Sequence, residues 1–349
     1  MKLKNEVFLI IGCVLLFSMS LPEVFAQQSY SFVTKWNSPD TEGSLNEAVS
    51  LVIGASGNLY VTDTNNDRIE KFSSDGKFLS KWGTYGTSPG QFNLPTGITV
   101  DSIGNIYVTD QSNSRIEVFD SSGNYVSSIN LSQLYPVGIA VDSGNNIYVT
   151  EQNKNAVLKF TNDGQALNTW GTYGTDDGKF DTPSGIAIDK NDYIYVVDTN
   201  NDRIEKFTSD GQFLTKWGTL GIGDGQFYRP IGIAIDSSGY VYVTDTFNSR
   251  IQKFTSDGQF LTKWGSNGTA NGQFLSPSGI AVDSAGNVYV SDSNPYNSSI
   301  QKFSIENQAE SLNGQQKNVV PEFGTTTIIA LTVAVISSLV FRAKFKFYH

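Results

Sequence analysis

Short runs in which apolar and polar residues alternate follow one another from about residue 31 to residue 306. An alternation of period two over four to eight residues is typical of β-strands with one buried face. Clusters of glycine, asparagine, aspartate and serine separate the runs. Pairs such as Asp75-Gly76 and Asp210-Gly211 supply the positive φ that a tight hairpin turn needs. The pattern predicts an all-β body of short antiparallel strands joined by hairpins.

The same strand–turn–strand phrase returns six times along this stretch. It reads YVTDTNNDRIEKF, YVTDQSNSRIEVF, YVTEQNKNAVLKF, YVVDTNNDRIEKF, YVTDTFNSRIQKF and YVSDSNPYNSSIQKF. Its acidic positions recur at intervals of 47, 41, 47, 47 and 47 residues, and a period in the forties filled with strands indicates a radial β-repeat. One four-stranded sheet cannot bury both of its faces alone, whereas six sheets packed around an axis can. We therefore expect a six-bladed β-propeller.

The ends of the repeat region predict how the ring closes. The sixth repeat contains only three strand-like runs. Residues 32–36 (FVTKW) have the pattern of the fourth strand of the fourth repeat, residues 213–217 (FLTKW). We expect this N-terminal strand to complete the last blade and to tie the ring shut, because a closed ring leaves few exposed strand edges.

The repeat resembles the NHL repeat. The resemblance rests on the phrase Asp-x-x-Asn-x-Arg-Ile-x-x-Phe, as in residues 198–207, and on Pro-x-Gly-Ile-Ala-Val-Asp, as in residues 277–283. It covers about residues 31 to 306 and implies a six-bladed propeller of the NHL type. Two repeats depart from the phrase. The third has Glu151 and Ala156 in place of the acid and the arginine, and the sixth inserts Pro295-Tyr296 and lacks the arginine.

Both ends of the chain carry features of export. Residues 1–26 contain a basic start, an apolar run and the small-residue pattern Val24-Phe25-Ala26, which together predict a signal peptide. Residues 27–306 then form the propeller, and residues 307–320 form a polar linker. The tail, residues 321–349, begins with Pro321, Glu322, Phe323 and Gly324 and continues in a 17-residue apolar run with a basic end. This run predicts a transmembrane helix.

The tail as a whole resembles the PEFG-CTERM sorting signal of archaeal exported proteins. The resemblance implies that a sortase-like enzyme cuts near the motif and exchanges the tail for another anchor. The alternative is a permanent transmembrane helix whose basic end stays in the cytoplasm. In both cases we expect the propeller to be secreted to the extracellular face of the cell membrane and anchored at the cell surface by its C-terminal segment.

Composition constrains the partners and the redox chemistry. The chain holds 24 basic and 34 acidic residues, a net charge of −10, which repels phosphates and predicts that nucleic acid is not a partner. The one cysteine, Cys13, lies in the predicted signal peptide, so the exported body has neither disulfides nor thiol chemistry. We expect a monomer without a cofactor or a metal ion.

The repeated acidic residues and arginines are interpreted as structural. Four repeats place an arginine five residues after the acid, a spacing at which a charge-assisted hydrogen bond can join neighbouring strands. The pairs are Asp63 with Arg68, Asp110 with Arg115, Asp198 with Arg203, and Asp245 with Arg250. A second acidic series ends the first strand of most repeats and is interpreted as turn caps. A metal site built from the first series is the alternative.

Histidine decides the prediction on catalysis. The only histidine is His349, at the end of the tail, so the body contains no Ser-His-Asp triad, Cys-His pair or histidine zinc site. The sequence therefore favours a protein that is not an enzyme and has no catalytic residues. Lactonases and streptogramin lyase are propellers of related appearance. A metal-dependent lactonase- or lyase-like enzyme with Asp, Asn and Glu ligands is the alternative.

The predicted function is non-catalytic binding of a protein or glycan through variable loops. Strand alternation places the turns between second and third strands, and the connections between repeats, on one face, and these segments vary most. Aromatic and arginine side chains make efficient contacts there. The candidates are Tyr85, Tyr173, Tyr228, Arg229, Phe247 and Tyr296. Predicted N-glycosylation sites are Asn130, Asn267 and Asn297. A structural component of the cell envelope is the second alternative.

Overall fold

The computed structural model describes residues 28–37 and 43–306. Within these ranges the chain forms twenty-four short strands and three 3₁₀ turns. The strands are β1 (Tyr30–Trp36), β2 (Ala48–Ile53), β3 (Leu59–Asp63), β4 (Arg68–Phe72), β5 (Phe78–Trp82), β6 (Pro95–Val100), β7 (Ile106–Asp110), β8 (Arg115–Phe119), β9 (Tyr125–Asn130), β10 (Pro136–Val141), β11 (Ile147–Glu151), β12 (Ala156–Phe160), β13 (Ala166–Trp170), β14 (Pro183–Ile188), β15 (Ile194–Asp198), β16 (Arg203–Phe207), β17 (Phe213–Trp217), β18 (Ile233–Ile235), β19 (Val241–Asp245), β20 (Arg250–Phe254), β21 (Phe260–Trp264), β22 (Pro277–Val282), β23 (Val288–Asp292) and β24 (Ser299–Ile305). The 3₁₀ turns are Thr64–Asn66, Thr199–Asn201 and Thr246–Asn248.

These strands build six four-stranded antiparallel sheets, the blades of a propeller. Blades one to five each consist of four consecutive strands, β2–β5, β6–β9, β10–β13, β14–β17 and β18–β21. Blade six consists of β22, β23 and β24 and takes its outer strand from β1. The predicted all-β, six-bladed propeller, closed by an N-terminal strand, is therefore confirmed.

The closing strand is paired along its whole length. Tyr30 lies opposite Ile305 and Trp36 lies opposite Ile300, with one irregularity between Phe32 and Thr34. The ring thus has a non-covalent seam inside blade six, where the beginning and the end of the repeat region meet. β24 thus pairs with β23 on one side and with β1 on the other.

Aromatic residues pack the blades against each other. A tyrosine of the second strand and a phenylalanine of the third strand are buried in every blade. The tryptophan that ends an outer strand packs on the glycine turn of the next blade. A Cβ built on Gly211 would lie 2.6 Å from Trp170 Cδ2, and the φ of Gly211 is +80°, so only glycine fits this turn. The tryptophans are therefore partly buried packing residues between neighbouring blades.

The six inner strands surround a central channel of about 280 Å³. Isoleucine, valine, alanine and glycine make up most of its wall. Hydroxyl groups tie successive inner strands together from behind this wall. Thr109 Oγ1 donates to the Val137 carbonyl at 2.8 Å, and Thr150 Oγ1 donates to the Ser184 carbonyl at 2.6 Å. The wall of the channel is thus mostly apolar, and the inner strands that form it are tied to each other.

The ring has two different faces. The loop face carries the turns between second and third strands, such as Thr64–Asn66, and the connections between blades, such as residues 83–94. The turn face carries the other hairpin turns. Since β1 begins opposite the last residue of β24, the chain enters and leaves the ring on the turn face.

The predicted end segments lie outside the described residues. These are the signal peptide at 1–26, the linker at 307–320 and the tail at 321–349 with its sorting motif. Among residues 28–37 and 43–306, no helix is long and apolar enough to cross a membrane.

Candidate functional site

An arginine that is buried or nearly buried clamps the loop face in four of the blades. In blade four, Arg203 Nε lies 2.7 Å from Asp198 Oδ2. Its Nη1 donates to the Thr175 carbonyl at 2.6 Å, and its Nη2 donates to the carbonyls of Asp176 at 3.1 Å and Lys179 at 2.7 Å. The arginine thus fastens the connection that precedes the blade. The Nε contact recurs at 2.6 Å in Arg68–Asp63 and at 2.7 Å in Arg115–Asp110 and Arg250–Asp245.

Each of three clamps contains a second carboxylate, which the sequence analysis did not consider. Glu205 Oε1 lies 2.9 Å from Arg203 Nη2, and Glu205 Oε2 accepts a hydrogen bond from Gly178 N. One guanidinium therefore faces two fully buried carboxylates. Burial outweighs the attraction of Arg203 and raises the pKa of Glu205 to about 7, and burial also raises the pKa of Asp198. Glu70 and Glu117 are the corresponding residues in blades one and two.

Replacing Glu205 by glutamine is expected to stabilise the propeller above pH 7 and to weaken its pH dependence. Because the pKa of Glu205 rises from 4.5 to about 7 on folding, the folded chain holds this proton more tightly than the unfolded chain. The free energy of unfolding of the wild type should therefore fall as the pH rises from about 4.5 to about 7 and then level off, whereas glutamine has no such proton to lose. The contribution is at most on the order of 3 kcal/mol.

Blade five supplies the control for this substitution, because Gln252 already occupies the position of Glu205 there. Its Oε1 accepts from Gly225 N at 3.0 Å and its Nε2 donates to the Gln226 carbonyl at 2.6 Å. Urea unfolding of wild type, Glu205→Gln and Gln252→Glu at pH 5 and pH 8 measures the effect. Glu205→Gln should gain stability at pH 8 only, and Gln252→Glu should lose it there. Equal changes at both pH values would contradict the expectation.

Blades three and six lack the arginine, and their acids cap the connecting backbone instead. Glu151 Oε1 accepts from Tyr135 N at 2.7 Å. Asp292 accepts from Leu275 N at 2.8 Å and from Ser276 N at 2.9 Å. Every acid of this series is thus engaged in holding loop-face backbone.

The second acidic series lies on the turn face and is also engaged in turns. Asp142 Oδ1 accepts from Gly144 N and Asn146 N, and its Oδ2 accepts from the Tyr148 hydroxyl at 2.9 Å. Burial, together with the corresponding aspartate of blade two, raises the pKa of Tyr107 to about 12. Among residues 28–37 and 43–306, no group of three or more acidic, histidine or cysteine side chains is arranged to hold a metal ion.

Six residues at one repeat position lie at the loop-face ends of the connections that lead into the inner strands. Each directly precedes the inner strand of its blade, or the proline at or shortly before the start of that strand. They are Glu47, Leu94, Tyr135, Thr182, Arg229 and Ser276. Four of them have a positive φ, between 49° and 62°, which the turn into the inner strand imposes on otherwise unrelated side chains. We call this set the channel-mouth ring.

Three members of the channel-mouth ring carry chemically active groups on alternate blades. Glu47, Tyr135 and Arg229 stand on blades one, three and five. Their backbones are held in place, for example by a 2.7 Å bond from Arg229 N to Asp202 Oδ1. Within the described ranges, no hydrogen bond or ion pair engages the carboxylate of Glu47, the hydroxyl of Tyr135 or the guanidinium of Arg229. These groups are available to a ligand at the channel mouth.

Next to this ring, blade five exposes an aromatic patch. The rings of Tyr228 and Phe247 lie 5.1 Å apart, and 45% and 56% of these residues is exposed. The Arg229 guanidinium lies 5.4 Å from the centre of the Phe247 ring. Ile222, which is 80% exposed, belongs to the connection fastened by Arg250. We call Ile222, Tyr228, Arg229 and Phe247 the blade-five patch.

The other predicted binding residues lie apart from this patch. Tyr85 and Tyr173 are each 71% exposed in the connections that precede blades two and four. Tyr296 is 96% exposed in the turn of blade six. Among the ring contacts of the described residues, none joins these three tyrosines to Tyr228 or Phe247. The structure thus brings together three of the six candidates.

The predicted glycosylation sites differ in accessibility. Asn130 and Asn267 are exposed. The amide nitrogen of Asn297 is buried, so the folded chain cannot present it to a glycosyl donor. Asn130 and Asn267 therefore remain the predicted sites of modification.

The sequence analysis missed Glu47, Tyr135 and Ile222 as functional candidates. Glu47 and Tyr135 lie outside the repeated phrase, in segments where the six repeats differ most. The signal was present in the register of the repeats. Aligning the residues before the inner strands gives Glu, Leu, Tyr, Thr, Arg and Ser at one position, a diversity that packing does not require.

Comparisons with known proteins assign the family. A model of the virginiamycin B lyase family matches residues 33–296, and the chain therefore belongs to this family. No curated protein matches it in sequence.

Solved structures share the fold. Virginiamycin B lyase from Staphylococcus aureus has a TM-score of 0.55 and 18% identity, over 76% of this chain and 82% of that chain. One such structure is a catalytically inactive histidine-to-alanine variant with quinupristin. A streptogramin B lyase has a TM-score of 0.54 and 21% identity, over 73% of this chain and 78% of that one. A gluconolactonase from Xanthomonas campestris has a TM-score of 0.53 and 17% identity, over 75% and 88%.

The prediction that this chain is not an enzyme is overturned by these matches. Its family is named for a lyase, and enzymes are among the structures that share its fold. The prediction excluded mechanisms that depend on histidine or cysteine. It did not exclude proton transfer by carboxylate and phenol groups, which the channel-mouth ring contains.

Proposed function

We propose that this chain is a lyase-type enzyme that acts on an organic ligand held at the channel mouth of the loop face. The observation that carries the proposal is the placement of an acid, a phenol and a guanidinium, none of them in a hydrogen bond or ion pair with another described side chain, on alternate blades of the channel-mouth ring. The family membership supports the reaction type. The proposal uses no histidine, in keeping with the only histidine being His349.

Each group has a role in an elimination. The bond that breaks joins a carbon of the ligand to the leaving oxygen. The Glu47 carboxylate takes a proton from the adjacent carbon. The released electron pair forms a carbon–carbon double bond, and the leaving oxygen departs as an anion beside the Arg229 guanidinium. The Tyr135 hydroxyl donates a hydrogen bond to the ligand carbonyl that makes the proton acidic. No water enters the product, in contrast to hydrolysis.

Mass spectrometry of a cyclic ester probe separates the two reactions. The full chain is incubated with quinupristin, the molecule bound in the Staphylococcus aureus lyase structure, and in parallel with gluconolactone. A ring-opened quinupristin of unchanged mass supports elimination. A product heavier by one water supports a lactonase instead. If both probes remain unaltered after prolonged incubation with an equimolar amount of the chain, the proposal is contradicted.

Substituting the acid of the ring gives the matched test. Glu47→Gln is expected to lower turnover by about 10²- to 10⁴-fold, the usual contribution of a general base, because the amide cannot take the proton. Thr182→Ser, at the equivalent position of blade four, is the control and should keep turnover within about twofold of wild type. Turnover that survives Glu47→Gln would remove Glu47 from the mechanism.

We also propose that the enzyme is exported and anchored at the cell surface through residues 321–349. The sequence features of the two ends support this placement. The exposure of Tyr85, Tyr173 and Tyr296 favours recognition of a surface glycan or protein as a second function. Protease treatment of intact cells tests the placement, because an internal protein would be spared. A glycan array probed with wild type and with a Tyr85→Ser, Tyr173→Ser variant tests the second function.

A further inference from the structure

We infer that the ligand of the loop face carries a flat apolar ring beside a single anionic group, and that the blade-five patch binds this part of it. The inference rests on the proposed function for the position of the ligand and names the chemical class. It is carried by the comparison of blade five with the other blades, by the geometry of the patch and by its charge.

The repeats provide an internal comparison. Blades four and five share the arginine–aspartate contact of the clamp and the same backbone contact between the two loop-face turns. Asn200 N donates to the Asp181 carbonyl and Phe247 N donates to the Tyr228 carbonyl, both at 3.1 Å. Since the backbone is alike, folding does not require a different side chain at these positions.

The side chains nevertheless change class. Where blade four has Thr175, Asp181, Thr182 and Asn200, blade five has Ile222, Tyr228, Arg229 and Phe247. All four residues of blade five are exposed, so the change does not add to the core. Aromatic and arginine side chains that replace polar residues on an exposed loop are typical of contact sites.

The geometry of the patch suits a flat ring. The Tyr228 and Phe247 rings form a tilted contact, inclined by 38° at 5.1 Å, and both residues are about half exposed, so that ring surface remains open to a third aromatic group. Ile222, on the same connection as Tyr228 and Arg229, adds exposed apolar surface. A ring placed there lies beside Arg229, which also belongs to the channel-mouth ring.

The positive charge of Arg229 favours an anionic ligand, and the negative net charge of the chain favours one that carries few charges. Within the described residues, no carboxylate forms an ion pair with the Arg229 guanidinium, whereas the surface cations Lys216 and Lys263 pair with Asp177 and Asp224. The nearby Asp202 carboxylate accepts from the backbone N–H of Arg229. The exposed guanidinium therefore keeps its N–H donors for a carboxylate in bidentate contact. The chain as a whole carries a net charge of −10, which opposes polyanions such as nucleic acids and acidic polymers. An aryl carboxylate satisfies both conditions.

Binding of simple aryl acids to the full chain tests this inference without any turnover. The probes are 2-naphthoate, its uncharged analogue 2-naphthamide, and acetate, each measured by calorimetric titration. 2-Naphthoate is expected to bind about tenfold or more tightly than either of the others. The blade-four exchange Tyr228→Asp with Phe247→Asn should weaken 2-naphthoate binding about tenfold or more. Arg229→Thr should remove the preference for the naphthoate over the amide.

Control variants and alternative outcomes make the test decisive. Asp181→Asn in blade four should leave binding unchanged. Equal affinity of wild type and the blade-four exchange, or equal affinity for naphthoate and naphthamide, would overturn the inference. A concentration-dependent dimer in sedimentation that the exchange abolishes would also overturn it, because a second copy would then cover the patch.

The two proposals fail in different ways. Loss of naphthoate binding in the exchange variant, together with turnover that survives Glu47→Gln, would remove the proposed reaction and keep the inferred ligand class. Turnover that depends on Glu47 without any naphthoate binding would keep the proposed reaction and remove the inferred ligand class.

Discussion

A chain that lacks residues 28–36 should lose its cooperative unfolding transition and aggregate. Without β1, the strand β24 presents an unpaired edge along its whole length, which is a template for association with other chains. The deletion also exposes the rings that β1 covers. Tyr30 stacks on Trp264 at 4.2 Å, and Trp36 packs edge-on against Tyr289 at 6.3 Å. Urea unfolding followed by tryptophan fluorescence, together with light scattering, measures both consequences.

Point variants separate the contribution of side chains from that of the strand. Trp36→Ala should cost about 1–3 kcal/mol, less than the loss of a fully buried aromatic side chain, because Trp36 is partly buried against Phe72 and Tyr289. Val33→Ala is the control in the same strand, because Val33 is 47% exposed, and it should change stability by less than about 0.5 kcal/mol. If the deleted chain unfolds cooperatively at the urea midpoint of wild type, the seam in blade six does not hold the ring together.

Replacing Asp198 by alanine is expected to cost about 3–5 kcal/mol, because it leaves a buried guanidinium with one of its two carboxylates removed. Asp198 also accepts hydrogen bonds from Asp181 N at 2.7 Å and from Asn201 Nδ2 at 2.8 Å, so two further donors lose their partner. The free energy of unfolding from urea titration at pH 7 measures the loss.

Blade six offers the matched control for this clamp. Asp292 occupies the same repeat position and caps backbone N–H groups, but Ser299 stands opposite it where blades one, two, four and five have arginine. Asp292→Ala should therefore cost less, about 1–3 kcal/mol, the penalty for unsatisfied buried donors. A cost for Asp198→Ala no greater than that for Asp292→Ala would show that the arginine contributes little to stability.

The fold could be predicted from the sequence because each blade repeats the same local instructions. Alternation in the strands, Asp-Gly turns and the fourth-strand pattern at residues 32–36 all point to one ring. The Asp198–Arg203 contact was predictable for the same reason, since the two residues face each other across one hairpin. Glu205 was not recognised, although it lies two residues after Arg203 and hence on the same face of the strand.

The candidate site was predicted only in part. Tyr228 and Phe247 are 19 positions apart in the sequence, and their contact depends on the backbone bond between two loop-face turns. Glu47, Tyr135 and Arg229 stand at the same end of the axis only through the arrangement of the blades in a ring, which no local pattern contains. Sequence reasoning therefore found the aromatic half of the site and missed the half that lies across the channel.

The seam in blade six has a practical consequence for how this molecule can be handled. Gln28 and Glu306, the two ends of the described ring, both emerge next to the Tyr30–Ile305 pair. A fusion partner, an affinity tag or a chemical tether joined at either end is therefore attached on the turn face. When the protein is immobilised on a sensor chip in this way, the channel-mouth ring and the blade-five patch on the loop face stay open to the solution, and no residue of the loop face has to be changed.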